Sequence, residues 1–199
     1  MHLPAAAMPR NDAAMTKADL RREMRRRLQM LGPSRAEKSE AITAAIAAQP
    51  AFLTGEHIAL FSPLPGEPDV DRLWAEKRGG FCYPRVAGPA IEFVEVTSPE
   101  HFAPSPWNPR LREPAFADAR IIPVSEIALL LVPGLAFTRD GCRLGRGGGF
   151  YDRFLAELPA STMKLGVCFD EQIVATLPSE PHDQRVDAIV TESGVAASH

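Results

Sequence analysis

The chain is 199 residues long, with 45% hydrophobic and 24% charged residues and a formal net charge of −3. That length and composition fit one globular domain with a proper core, and the mild acidity argues against a protein that grips nucleic acid by bulk charge. The longest apolar run, Ile127 to Val132, falls far short of the roughly 20 residues a membrane span needs, and three widely spaced cysteines form no CxxC pair, as expected of a reducing compartment.

Residues 1–15 read as a flexible leader, Ala-rich with Arg10 as its single basic residue and no continuous apolar stretch of the kind a secretion signal carries. Residues 16–195 are expected to form a single α/β domain. A helix is predicted over 17–31, with Thr16 as its cap and Asp19 in its first turn. Leu20, Met24, Leu28 and Leu31 make its buried stripe. Lys17, Arg21 and Arg25 form a second stripe, one position away and so about 100° around the helix. By spacing alone that basic stripe is a solvated face bordering the core. Gly32-Pro33-Ser34 breaks the helix, Ser34 is the candidate cap of a second helix over 35–49, and Pro50 is expected to stop it.

A strand is predicted at 57–62, then a Pro-Gly loop, a helix near 69–77, and short strands at 81–83 and 91–96. Residues 98–118 hold five prolines and read as a long connection. Residues 127–132 (IALLLV) have no polar alternation and should lie mid-sheet with both faces covered. A helix follows at 151–158, and strands at 165–169 and 188–191. Strands alternating with helices give a three-layer α/β sandwich with a largely parallel sheet, whose ligands bind beyond the carboxyl ends of the strands. The 133–150 loop should stand there.

That loop carries the chemistry. Within RLGRGGGFYD, four glycines (Gly145, Gly147, Gly148, Gly149) fall in five positions. Glycines let backbone N–H groups converge on an anion, and the helix that follows adds its positive end. Arg143 and Arg146 bring forked donors suited to phosphate oxygens. Asp152, in the first turn of that helix, is an oxygen ligand of the type magnesium prefers. Neither a Walker A nor a GxGxxG spacing is present. The residues alone therefore point to a phosphate-binding loop. Glu67, Asp69 and Asp183 lie in turns, where acidic residues are common, His182 reads as a surface histidine, and Cys142 as a packing residue.

The string RLGRGGGFYDRFL, preceded by VPGLAF at 132–137, resembles the signature of the 5-formyltetrahydrofolate cyclo-ligase family. KADLRREMRRRL (17–28), FSPLPGEPDVDRL (61–73) and LPSEPHDQRVDAIVTE (177–192) are similar to its opening helix, second segment and closing segment, in order. The resemblance implies a sugar-phosphate isomerase/CoA-transferase-like fold. It also implies an ATP- and magnesium-dependent closure of 5-formyltetrahydrofolate to the 5,10-methenyl form through a phosphorylated formyl group. By the same resemblance Lys17 and Arg21 contact the triphosphate, and Arg143, Leu144, Gly145, Arg146, Gly147, Gly148, Gly149, Phe150 and Tyr151 form the nucleotide loop. Lys17, Arg21 and Arg146 would be the catalytic cations. Ser62, Glu67 and the stretch Arg146–Phe150 line the folate, and Asp152 with Asp183 binds magnesium. The chain departs from the pattern at Gly148, where some relatives carry Lys, and at Phe150, where Tyr is frequent. Trp107 is a candidate for stacking on the substrate, though its spacing to Glu113-Pro114 is longer than the pattern. The expected setting is cytoplasmic, with small-molecule partners, no nucleic acid and no membrane, as a monomer or else a small oligomer. On the residues alone, an enzyme of the same fold acting on a phosphorylated metabolite and an RNA-binding relative stay open.

Overall fold

The computed structural model describes residues 15–76 and 80–198, so all of the expected leader but Met15 lies outside the described residues. Helix α1 (Lys17–Gln29) is capped as predicted: the Thr16 hydroxyl oxygen accepts from the Asp19 amide at 3.2 Å. Leu20, Met24 and Leu28 bury its apolar face. Ser34 does not cap α2 (Arg35–Ala47). It has helical dihedrals (φ −62°, ψ −13°), whereas a capping residue is extended, and its hydroxyl donates backwards to the Leu31 carbonyl at 2.8 Å. Helix α2 ends two residues before the expected limit, and Pro50 begins α3 (Pro50–Thr54), where the missing N–H is one the first turn leaves unpaired anyway.

The strands are β1 (His57–Ala59), β2 (Phe81–Ala87), β3 (Ala90–Glu95), β4 (Phe102–Pro104), β5 (Arg112–Pro114), β6 (Ile127–Pro133), β7 (Ala136–Phe137) and β8 (Arg143–Leu144), followed after helix α4 (Phe150–Glu157) by β9 (Met163–Val167), β10 (Ala188–Thr191) and β11 (Gly194–Ala197). Further expectations change, the first strand among them, which ends at Ala59 and not at residue 62. The helix near 69–77 is a 3-10 stretch, Val70–Ala75, within the described residues. The connection at 98–118 holds the β4–β5 hairpin, with prolines at both ends of its ladder, where a missing N–H is tolerated.

Seven strands form the central sheet in the order β11-β10-β9-β6-β1-β2-β3. The inner pairs β10–β9, β9–β6, β6–β1 and β1–β2 are parallel, and the outer β10–β11 and β2–β3 pairs are antiparallel. Strand β6 feeds two cores. Leu129 and Leu131 join the core under α1 and α2, while Leu130 and Val132 join the one under α4. Ile127 sides with the second set because the register skips a residue, pairing His57 with Ile127 but Ile58 with Leu129. Both faces of the sheet are thus covered, which is the three-layer sandwich expected. Trp74 packs 5.3 Å from the Phe81 ring and donates its Nε1–H to the Tyr83 hydroxyl at 2.7 Å. Among the described residues no helix is long and apolar enough to cross a membrane.

Phe137 closes the second core against two residues that have no side chain. A Cβ on Gly134 or on Gly166 would sit 2.7 Å from its ring. Gly166→Ala is therefore expected to overpack this contact and lower stability by about 1–3 kcal/mol, read as a shift in the urea midpoint with an unchanged m-value.

Candidate active site

From β1 the chain moves to β2 on one side of the sheet, whereas β6 pairs with β1 on the other. The connection leaving β1 contributes Val70 and Leu73 to the first core, and the one leaving β6 contributes Phe154 and Leu155 of α4 to the second. Two connections that part to opposite faces leave a crevice at the carboxyl ends of their strands. A cavity of about 320 Å³ opens there. Its walls are the segment after β1 (Phe61 to Glu67), the end of β6 (Pro133, Gly134), the glycine loop, and an outer wall of β2, β3 and the β4–β5 hairpin that includes Trp107 and Leu111.

The glycine loop is shaped by backbone conformation and held by cations. Gly147 (φ 113°) and Gly149 (φ 66°) occupy left-handed conformations that disfavour a side chain, and Gly149 leads directly into α4. Arg146 reaches across the cavity to Glu67, whose Oε1 accepts from its Nε at 2.8 Å and its Nη2 at 2.6 Å. The other Glu67 oxygen accepts from the Leu64 amide at 2.9 Å. Burial pushes the Glu67 carboxyl above its ordinary range, against the opposing pull of Arg146 and the Leu64 amide. Arg143, buried, donates from Nη2 to Asp152 Oδ1 at 2.7 Å and from Nη1 to the Pro133 carbonyl at 3.3 Å. Arg153 donates to the Gly148 carbonyl at 3.2 Å and the Pro89 carbonyl at 2.7 Å, with its guanidinium 5.1 Å above the Phe150 ring.

Helix α1 joins this loop to the closing segment. The Arg21 Nε–H donates to the Gly145 carbonyl at 3.0 Å. One turn earlier, Lys17 Nζ donates to Asp183 Oδ2 at 2.7 Å and Glu180 Oε2 at 2.9 Å. Burial acts to lower the Lys17 pKa, but its two carboxylate partners outweigh it and the net shift is upward. Burial likewise acts to raise Asp183, and hydrogen bonds from Lys17 and the Glu180 amide hold it below its ordinary value. The basic stripe is thus not uniformly solvated: Lys17 is bonded to the closing segment and Arg21 to the glycine loop, though neither lines the cavity.

The candidate residues divide as follows. Ser62, Glu67, Arg143, Gly145, Arg146, Gly148, Gly149, Phe150, Tyr151 and Asp152 all line the cavity. The Leu144 side chain is buried in the core under α1 and α2. Asp183 instead borders a small neighbouring cleft that shares Arg143, and the backbone N–H of its neighbour Gln184 donates to Asp152 Oδ1 at 3.4 Å. Asp152 and Asp183 are therefore linked through Gln184, and each has a cation of the protein beside it. Among the described residues, Ser62 Oγ, Arg143 Nε and the Tyr151 hydroxyl are buried without a hydrogen-bond partner. Burial, reinforced by the charge of Glu67, pushes the Tyr151 phenol well above its ordinary range, which keeps it a donor. Three orphaned polar atoms on residues lining the same cavity fit a polar ligand.

Of the outer wall, sequence reasoning singled out only Trp107 and missed the rest, above all the buried Glu113. A glutamate between an arginine and a proline in a polar stretch gives no sign of burial, and the hairpin that buries it was not foreseen.

A family model described as the 5-formyltetrahydrofolate cyclo-ligase family matches residues 13–192. The chain is 31% identical over 198 residues to the 5-formyltetrahydrofolate cyclo-ligase of Mus musculus, covering 91% of this chain and 96% of that protein. It is 30% identical over 154 residues to the enzyme of that name from Escherichia coli K12, covering 73% and 83%. Among solved structures it is similar to the 5,10-methenyltetrahydrofolate synthetase of Aquifex aeolicus, with a TM-score of 0.81 at 29% identity and 93% and 94% of the two chains covered. A Mycoplasma pneumoniae synthetase, at TM-score 0.70 and 22% identity over 89% of this chain and 99% of that one, shares the fold.

The Glu67–Arg146 pair gives a pH-dependent expectation. A carboxyl whose pKa rises on folding binds its proton more tightly in the native state, so the stability it contributes falls as pH rises through the raised value. Arg146→Ala removes a cation that opposes this shift. The variant should lose about 1–3 kcal/mol at pH 8, below the full cost of an orphaned buried charge because the Arg146 side chain is 36% exposed. The deficit should shrink at pH 5, where Glu67 is more readily protonated. Urea unfolding at the two pH values checks it, and a deficit independent of pH would disprove the role assigned to Glu67.

Proposed function

The chain belongs to the 5-formyltetrahydrofolate cyclo-ligase family, and from that membership we propose that it converts 5-formyltetrahydrofolate and ATP to 5,10-methenyltetrahydrofolate, ADP and phosphate. The observation that carries this reading is the cavity at the fork of β1 and β6, with the arginine-bearing glycine loop on one side and apolar walls on the other. A triphosphate needs the first and a flat, largely apolar heterocycle the second.

The formyl oxygen on N5 is a poor leaving group. Its attack on the γ-phosphorus releases ADP and turns that oxygen into a phosphate ester of an imidate. N10 then attacks the formyl carbon, the five-membered ring closes, the phosphate departs with the former formyl oxygen, and N10 loses its proton. The protein's work is positioning and charge neutralisation, as in other phosphoryl transfers. Lys17, Arg21, Arg143 and Arg146 are the cations assigned to the triphosphate. The glycine loop lets the γ-phosphate approach the formyl oxygen closely. Tyr151 and Ser62 offer unpaired hydroxyls to the reacting groups, and no side-chain nucleophile is required.

Asp152 and Asp183 are the residues assigned to magnesium, as carboxylate ligands of the kind the ion prefers. Magnesium bound there would neutralise triphosphate charge. In the free protein Arg143 and Lys17 are the counter-charges of these two carboxylates. The protein is proposed to work in the cytoplasm as a monomer.

The test is the near-ultraviolet absorbance of the methenyl product in a mixture of protein, 5-formyltetrahydrofolate, ATP and magnesium. A rise that requires both ATP and magnesium is expected, and Arg146→Ala should lower kcat/KM by about 100- to 1,000-fold at a pH where it remains folded. Folded wild-type protein that gives no rise would sink the activity.

A further inference from the structure

The glycine loop begins where a short backbone bond hands over to it. Leu144, the residue before Gly145, accepts at its carbonyl from the Leu135 amide at 2.8 Å. Leu135 belongs to the bend that leaves β6, just past Pro133–Val167, the last pair between β6 and β9. Gly134 and Leu135 are buried there, where a backbone carbonyl without a partner is costly. Gln172 meets that need. It ends the 3-10 stretch Asp170–Gln172 after β9 and is fully buried. Its Nε2 donates to the Gly134 carbonyl at 2.8 Å and the Leu135 carbonyl at 3.3 Å, and its Oε1 accepts from the Phe169 amide at 2.9 Å. These partners fix the carboxamide's orientation, since the carbonyls require its NH2 end and the amide requires its oxygen. One side chain thus clips together the segments that diverge from β6 and β9. A leucine would fill the same space and remove all three bonds.

We infer that Gln172 is a positioning residue for the nucleotide: it holds the bend from which the glycine loop starts, and acts on the triphosphate through that bend. This rests on the reading of the loop as the nucleotide site. Gln172 does not line the cavity, so contact with a ligand is not its role. The path is short. It runs from Gln172 to the carbonyls of Gly134 and Leu135, from the Leu135 amide to the Leu144 carbonyl, and from Leu144 into Gly145. The same bend places Arg143 in two ways. Its Pro133 carbonyl accepts from Arg143 Nη1, and its Gly134 leaves room for the Arg143 stem, since a Cβ there would lie 3.1 Å from Cγ. A shift of the bend therefore moves the first cation of the loop together with the carbonyl next to Gly145. A buried polar clip with every partner in place holds such a geometry more narrowly than apolar packing does.

The experiment measures the affinities of a nonhydrolysable ATP analogue with magnesium and of 5-formyltetrahydrofolate, each alone, by calorimetry on wild type, Gln172→Leu and Gln172→Glu at pH 8 and pH 6. Gln172→Leu should weaken the analogue by about 10- to 100-fold, the scale of a misplacement of roughly 1 Å, and keep most of the affinity for the folate. The carboxyl brought by Gln172→Glu copies the carboxamide only when protonated, because its O–H can then donate to a carbonyl. Burial raises the pKa of such a group. Relative to wild type at the same pH, this variant should therefore bind the analogue weakly at pH 8 and recover at pH 6. A folded Gln172→Leu that binds the analogue as wild type does would make Gln172 a residue of stability alone and overturn the inference. Equal losses of both ligands, or a Gln172→Glu deficit that does not change with pH, would overturn it too. Should one variant fail to fold, the other decides. Should both fail, the side-chain amide resonances of Gln172 in wild type decide: they should shift when the analogue binds, and an unmoved pair overturns the inference. Wild type that does not bind the analogue would instead sink the reading of the loop as the nucleotide site.

Discussion

A loop made of glycines has almost no side chains with which to pack, so something else must hold its shape. Here it is held by cations. Arg143 ties its start to Asp152, Arg146 ties its middle to Glu67, Arg21 reaches its Gly145 carbonyl from α1, and Arg153 reaches its Gly148 carbonyl from α4. Four guanidinium groups from three elements thus substitute for hydrophobic packing. The rest of the site depends on this arrangement, because the loop forms one wall of the cavity and leads into α4. A guanidinium suits the task because its donors form a rigid planar fork, so it fixes direction as well as distance.

The sheet decides where those cations meet. Parallel strands place the ends of β1 and β6 side by side at one edge of the core, and their outgoing connections part to opposite faces. The segment bearing Glu67 and the loop bearing Arg146 leave from these adjacent strands. The pair between them therefore closes over the crevice that the topology opens. Helix α1 adds a further link, since Lys17 and Arg21, one turn apart, are bonded to the closing segment and the glycine loop respectively. Residues from both ends of the chain are thereby drawn to one place.

Much of this was legible in the residues, for identifiable reasons. The apolar stripe of α1, its Thr16 cap and the all-apolar β6 follow from periodicity and burial, which are local signals. The glycine loop was legible because glycine and arginine are informative residue types in a strand–loop–helix setting. Lys17 and Arg21 were not readable from spacing, since a basic stripe beside a core looks the same whether it meets water or a loop more than a hundred residues away. The structure corrected that reading for these two residues, through their bonds to Asp183 and to the Gly145 carbonyl. The β4–β5 hairpin was hidden by prolines, which argue against strands, and with it went Glu113, whose burial is a tertiary fact. Ser34 misled because a serine before a helix normally caps it, while here a 3-10 turn had already given it helical dihedrals.

The two tryptophans of the chain differ sharply in their surroundings. Trp74 is packed against Phe81 and Tyr83 with its indole N–H bonded. Trp107 is 72% exposed and stands on the cavity wall. Indole emission responds to the polarity around the ring, so the chain carries an internal optical pair: one ring partly buried among aromatic neighbours with its N–H already bonded, the other exposed on the cavity wall. An occupant that covers Trp107 changes the polarity around its ring, so the emission of this indole reports on that part of the cavity without an attached dye.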